Sequence, residues 1–139
     1  MPTPRVFAAL LFGLAALGCG HTKTTIVSGD DVPEDQWSRG VWLYGQSCAR
    51  CHGEEGEGDE DAPKIFGPDA LAEKHVLRPD FVTAKDVFEY VKTSMPPTEP
   101  SSLSDEQYWA VVLYMLKQGG YEVAVEPLDA SSAGSVKLR

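Results

Sequence analysis

The sequence predicts a small all-α domain, placed at residues 34–120 of a chain of 139 residues. Three segments carry apolar side chains at helical spacing, and each begins or ends at a recognisable capping or breaking signal. A chain of this length has room for one small domain. Its composition, with 42% hydrophobic and 24% charged residues, is ordinary for a soluble globular domain.

The first predicted helix covers residues 34–48. Pro33 stands where proline commonly starts a helix, and two acidic residues follow at the positive end of the helix dipole. The apolar positions fall on one side of this helix: Trp37, Val41, Leu43 and Tyr44. Gly40 lies inside the helix and costs about 1 kcal/mol relative to alanine. We therefore expect Gly40 to permit close contact with another helix.

The first helix leads into the sequence Cys48-Ala49-Arg50-Cys51-His52. Two cysteines separated by two residues and followed by histidine form the attachment sequence of c-type haem. Cys48 and Cys51 lie about one helical turn apart, so both thiols can reach the vinyl groups on one porphyrin edge. His52 then offers an imidazole nitrogen to the iron as proximal ligand. We predict one covalently bound haem c.

Three other chemistries use paired cysteines. A structural zinc site needs about four ligands, and the only cysteine outside the motif is Cys19, near the N-terminus. A thioredoxin-like redox pair calls for a βαβ setting, whereas the surrounding residues indicate helix and loop. A plain disulfide between Cys48 and Cys51 stays open, although it leaves His52 without a role.

An acidic loop is predicted at residues 54–61, which contain six acids and no apolar residue. The alternation of oxygen ligands that defines an EF-hand is missing. The loop is either merely solvated or a docking surface for a basic redox partner. Ile65 and Phe66, in the turn-rich stretch that follows, can cover the haem. Residues 69–74 are predicted to form a short helix, and His75 after it is a rival for the distal position on the iron.

A second long helix is predicted at residues 84–93, with Thr83 as its cap. It ends before two prolines, because proline cannot continue a helix. Met95 is thereby held in a loop, from which its thioether can reach an iron as distal ligand. Methionine is also a common gap-filler in cores, but Met115 already has that part within a helix.

The last predicted helix follows the capping box of Ser104 and Gln107 and is closed by two glycines after Lys117. The remaining residues, 121–139, are predicted to be a partly disordered C-terminal extension. Its first half alternates enough for a short strand without an obvious partner, and residues 131–139 resemble a disordered tail.

Residues 1–18 have the form of an export signal, with a positive charge at Arg5 and an apolar run too short to span a bilayer comfortably. Two cleavage reactions compete at the bond before Cys19. The small residues Ala16 and Gly18 suit an ordinary signal peptidase, and the sequence also resembles a bacterial lipobox, in which Cys19 is lipidated. We favour lipidation, because an odd thiol in an exported protein needs an explanation.

Residues 19–33 are predicted to form a flexible tether between the membrane and the domain. His21 lies in this tether and is expected to be solvated rather than bound to iron. The lipid at Cys19 would hold the protein on the periplasmic side of a bacterial membrane.

Charge constrains the partners. The chain has 12 basic and 21 acidic residues, a formal net charge of −9. Such a surface repels nucleic acid and anionic lipid head groups, so we predict no nucleic-acid partner. Electrostatic steering favours a redox partner with a basic docking surface. The oligomeric state is left open.

These residues together resemble a small monohaem cytochrome c of class I, of the bacterial periplasmic kind. The resemblance covers residues 37–119, and the attachment motif matches the family's. Gly40 is similar to the glycine of the family's first helix, and Tyr114 to the aromatic residue of the C-terminal helix that it crosses. Met95 followed by proline matches the distal-ligand loop. Pro63 is similar to the proline whose carbonyl orients the proximal imidazole.

The resemblance implies a helical domain wrapped around one covalent haem, with His52 and Met95 as axial ligands. With both axial positions filled, the iron has no open position for a substrate. We therefore expect an electron carrier of a respiratory-type chain rather than an enzyme. Two alternatives remain: the haem subunit of a larger membrane oxidoreductase complex, and a haem enzyme or sensor with an open distal site.

Overall fold

Helices make up the regular structure of the protein. The structure, a computed structural model, describes residues 32–67, 69–74 and 78–139. Four helices lie within them: α1 (Gln36–Ser47), α2 (Ala49–His52), α3 (Ala84–Ser94) and α4 (Asp105–Gln118). Over these ranges there is no β-strand beyond an isolated bridge between Thr83 and Lys137. The all-α prediction is confirmed.

The helices begin where short-range capping places them. The Asp35 carboxylate accepts a hydrogen bond of 2.8 Å from the Ser38 amide, which lowers the pKa of Asp35 and starts α1 two residues later than predicted. At α3, Asp86 reaches back to the Thr83 amide at 2.8 Å, and the predicted start is confirmed. At the start of α4, the Gln107 side chain accepts from the Ser104 amide at 2.9 Å and the Ser104 hydroxyl accepts from the Gln107 amide at 3.3 Å, as expected from its capping box.

Gly40 allows α1 and α4 to cross closely. A Cβ atom placed on Gly40 would lie 2.2 Å from the carbonyl oxygen of Ala110 and 3.0 Å from the Cβ of Tyr114. Since real Cβ atoms do not approach other atoms so closely, only glycine fits this crossing. The Trp37 and Tyr114 rings meet edge-on beside it, with centroids 5.3 Å apart. The expectation that Gly40 permits a close helix contact is confirmed.

α4 is the central helix of the domain. Its residues 108–116 are all buried, and α1 and α3 pack against it. On the α3 side, the Phe88 and Trp109 rings stack with centroids 3.7 Å apart. Val87 and Val91 complete the buried face of α3. The apolar stripes of three helices therefore meet in one core.

Residues 121–139, here called the C-terminal strap, are ordered, and the prediction of a disordered tail was wrong. Leu128 is fully buried, and its backbone exchanges two hydrogen bonds of 2.7 Å with the side-chain amide of Gln36 in α1. Val136 and Leu138 are buried near the start of α3, where their backbones bond to residues 84 and 82. The strap has irregular backbone, so the predicted short strand is also absent from it.

Residues 69–74 form turns instead of the predicted short helix. The guanidinium of Arg78 donates to the carbonyls of Ala70, Leu71 and Glu73. These carbonyls therefore find their partner in a side chain rather than in a helical ladder. Among the helices of the described residues, none has the length and apolar character needed to cross a membrane.

Candidate haem site

The two cysteines of the motif lie on one helical turn. Cys48 ends α1, and its carbonyl accepts the amides of Cys51 at 3.1 Å and of His52 at 3.0 Å in α2. Cys48 is half-buried against the core, whereas Cys51 is exposed. Both thiols are free. The pair thus joins the apolar core to the surface.

Burial determines the protonation state of the Cys48 thiol. Desolvation raises its pKa to about 12, with the neighbouring Cys51 as the smaller cause. The free Cys48 side chain is therefore an uncharged thiol at neutral pH.

The imidazole of His52 is oriented by a backbone carbonyl. Its Nδ1 lies 2.9 Å from the carbonyl oxygen of Pro63. Because a carbonyl only accepts, Nδ1 must carry the proton and donate this bond. In the neutral ring, this leaves Nε2 with the lone pair for a metal. This is the contact that the resemblance implied for Pro63.

The loop after the motif is built to present that carbonyl. All six of its acids are exposed, as predicted. The Asp59 carboxylate accepts from the amides of Asp61 and Ala62, both at 2.8 Å, and these bonds lower its pKa. Asp59 thereby shapes the turn just before Pro63. Sequence reasoning treated Asp59 only as one charge among six, although aspartate two residues before a turn amide is a known turn signal.

Two further residues fix the start of this loop. The hydroxyl of Tyr44, in α1, donates to the Gly53 carbonyl at 2.6 Å. A Cβ atom on Gly56, where φ is +63°, would lie 2.3 Å from the ring of Phe66. Gly56 thus lets Phe66 close over the loop and pack on Tyr44, with ring centroids 4.8 Å apart. The hydroxyl role of Tyr44 was missed, since its helical spacing marked it only as an apolar position.

Met95 stands at the end of α3. Its amide donates to Val91 at 2.9 Å, and its carbonyl accepts from the Tyr108 hydroxyl of α4, also at 2.9 Å. The side chain is half-buried and packs against the same core as Cys48. The other predicted positions, Cys19, His21 and His75, lie outside the described residues.

The donor set fits a covalently bound haem. It offers two thiols on one turn, an imidazole with a free Nε2, a half-buried thioether and an apolar core. It does not fit structural zinc, because nowhere in residues 32–67, 69–74 or 78–139 do three His, Cys, Asp or Glu side chains cluster as metal ligands.

Comparison with known protein families shows to which family the chain belongs. The model of the family described as cytochrome c oxidase, cbb3-type, subunit III, matches residues 35–115. The chain belongs to this family. It is therefore a c-type cytochrome, carrying covalently bound haem c in an electron-transfer role, and the predicted resemblance is confirmed.

Curated relatives of this cytochrome are oxidoreductases by name. The thiosulfate dehydrogenase of Stutzerimonas stutzeri (strain A1501) is 32% identical over 97 residues, covering 61% of this chain and 29% of that protein. The thiosulfate dehydrogenase of Allochromatium vinosum is 29% identical over 119 residues, covering 77% of this chain and 43% of that protein. The cbb3-type cytochrome c oxidase subunit CcoP of Cereibacter sphaeroides is 25% identical over 96 residues, covering 69% of this chain and 32% of that protein.

The cytochrome spans less than half the length of each of these relatives. Among solved structures, it is similar to the sulfane dehydrogenase SoxCD from Paracoccus pantotrophus. That comparison has 27% identity and a TM-score of 0.48, and covers 58% of this chain and 42% of the other.

Proposed function

We propose that the protein is an electron carrier whose single haem is attached through Cys48 and Cys51 and ligated by His52 and Met95. The hydrogen bond of 2.9 Å between His52 Nδ1 and the Pro63 carbonyl carries this proposal. It fixes the ring and leaves Nε2 for the iron, and a donor to a backbone carbonyl raises the basicity of the ligating nitrogen. When bound, the haem supplies the one-electron redox chemistry.

The chain's own residues orient the haem and exclude water. Pro63 holds the imidazole on one side, and the end of α3 presents the Met95 thioether from another part of the chain. The core that both ligand regions adjoin is apolar, with Leu43 and Leu113 fully buried. An iron held by both His52 and Met95 would have no position for a substrate, so its function would be transfer of electrons rather than catalysis.

We extend the proposal to the protein's location and partners. Export through residues 1–18, with lipidation at Cys19, would keep the carrier at the periplasmic face of a membrane. The six exposed acids of the loop next to the attachment motif support docking to a basic redox partner. Electron transfer to such a partner in a respiratory-type chain should slow as ionic strength rises.

A second candidate is the haem subunit of a larger oxidoreductase. It is favoured by the names of the relatives, each more than twice as long as the part matched here. In this case the cytochrome would receive electrons from a catalytic partner, such as one that oxidises thiosulfate. Co-purification of the protein from its native membrane with a stable partner would support this candidate, whereas isolation as a lone chain supports the carrier.

Covalent attachment is tested on the whole protein, produced with the haem-attachment machinery and run on a denaturing gel. We expect the band to stain for haem, because thioether bonds survive denaturation. An unstained band would favour the alternative in which Cys48 and Cys51 form only a disulfide.

Distal ligation is tested by Met95→Ala. We expect the weak long-wavelength band of ferric haem with a sulfur ligand to disappear, and the reduced variant to bind carbon monoxide, which the wild type binds poorly. The reduction potential should fall, since Met/His ligation raises it. Met115→Leu, which changes a methionine buried in α4, is the control and should keep the band. A band that survives Met95→Ala would mean that another sulfur atom is the distal ligand, whereas a wild type without the band would return the distal position to His75.

A further inference from the structure

The hydroxyl of Tyr108 ties α4 to the residue proposed as distal ligand. The last carbonyls of a helix have no partner within it, and Met95 ends α3. Its carbonyl accepts a hydrogen bond of 2.9 Å from the Tyr108 hydroxyl. Tyr108 is only 1% exposed, so its ring is held by the core and its hydroxyl has a fixed position. The bond therefore joins a rigid donor to the segment that carries the thioether.

The rest of the connection between α3 and α4 is held at its base. Ser101 donates to the Lys92 carbonyl through its amide at 2.9 Å and through its hydroxyl at 3.1 Å. The ammonium of Lys92 lies 2.7 Å from the Asp105 carboxylate at the start of α4. These contacts close the base of the connection, but they lie on the surface. Tyr108 is the buried contact that reaches Met95 itself.

We propose that Tyr108 is a positioning residue that keeps the Met95 thioether on the iron. The inference rests on the proposed function, in which Met95 is the distal ligand. We expect the thioether to leave the iron together with a movement of the segment after α3, which would carry the Met95 carbonyl away from the hydroxyl. A buried tyrosine hydroxyl without a partner is unfavourable. The hydrogen bond therefore opposes any loss of the thioether that moves the Met95 backbone.

The test is Tyr108→Phe, read by the binding of imidazole to the ferric protein. An external ligand binds only to the fraction of molecules in which the distal position is vacant, so its apparent affinity reports that fraction. Losing one neutral hydrogen bond should increase the vacant fraction, and we expect imidazole to bind about threefold to tenfold more tightly. The sulfur-ligand band should be present without imidazole. The retained ring still packs edge-on against Phe88, so the variant should fold.

Tyr121→Phe is the matched control. Its hydroxyl accepts from the Ala72 amide at 3.2 Å and does not touch the segment after α3. We expect this variant to bind imidazole within twofold of the wild type. A Tyr108→Phe variant that also stayed within twofold would overturn the positioning role.

The variant Met95→Ala distinguishes a failure of the positioning role of Tyr108 from a failure of the proposed ligation by Met95. If Met95→Ala binds imidazole no more tightly than the wild type, Met95 is not the ligand and the proposed function fails. If Met95→Ala binds imidazole much more tightly and Tyr108→Phe does not, only the positioning role fails.

In the reduced wild type, whose low-spin iron is diamagnetic, NMR should detect a slowly exchanging Tyr108 hydroxyl proton close to Met95. Rapid exchange of that proton would contradict the proposal without any substitution.

Discussion

Replacing Gly40 with alanine is expected to lower the free energy of unfolding by at least about 2 kcal/mol. The added methyl group would meet the Ala110 carbonyl oxygen at 2.2 Å, which is backbone and cannot swing aside. α1 and α4 would have to separate along their whole contact, loosening the edge-on packing of Trp37 on Tyr114. The loss should outweigh the gain of about 1 kcal/mol in helix propensity. Guanidinium unfolding of the haem-loaded protein, followed by circular dichroism, measures the difference.

Gly45→Ala is the control for Gly40→Ala, because it makes the same substitution in the same helix. A Cβ atom at Gly45 meets nothing within 4 Å. We expect this variant to be more stable than the wild type by about 0.5–1 kcal/mol. Equal effects of the two substitutions would mean that helix propensity, and not the α1–α4 crossing, determines the result.

Replacing Leu128 with alanine is expected to cost about 2–5 kcal/mol. The side chain is fully buried, and its own backbone is paired with the Gln36 amide, so the strap cannot easily move to fill the cavity. Removing residues 128–139 altogether should cost more, because it also exposes the apolar surface under Val136 and Leu138. Thermal and guanidinium unfolding of the haem-loaded variants measure both effects.

Glu122→Ala is the control within the strap, since Glu122 is exposed. It should change stability by no more than about 0.5 kcal/mol. The absorption spectrum of the truncated protein should still show an intact haem, because the strap lies outside the family match at residues 35–115. A truncated protein as stable as the full chain would mean that residues 128–139 add no stability, as the predicted disorder of residues 131–139 implies.

Features that depend on near neighbours could be predicted from the sequence. The caps of α3 and α4 act over three residues, so their spacing alone located both helix starts. Gly40 was predictable for a different reason. A glycine inside a helix is unfavourable by itself, so its presence indicated a compensating contact, which is the approach of Ala110.

Features that depend on distant parts of the chain could not be predicted in this way. Leu128 ends a stretch that alternates like a strand and Leu138 stands among polar and small residues, and neither pattern indicates the burial that α1 and α3 give them. The Gln36 amide that pairs with Leu128 is 92 positions away. The hydrogen bond of the Tyr108 hydroxyl could not be predicted either, because its partner depends on how far α4 lies from the end of α3. Helical spacing marked Tyr108 only as an apolar position.

The crossing of α1 over α4 also affects how the chain folds. Most helical proteins fold quickly because their contacts are local. Here the approach of Gly40 to Ala110 closes a loop of roughly 70 residues before any contact between the two helices is gained. A chain that folds from its N-terminus would hold α1 without its partner until α4 arrives. During that interval the Cys48 thiol, half-buried in the finished fold, would stay open to the chemistry that attaches the haem.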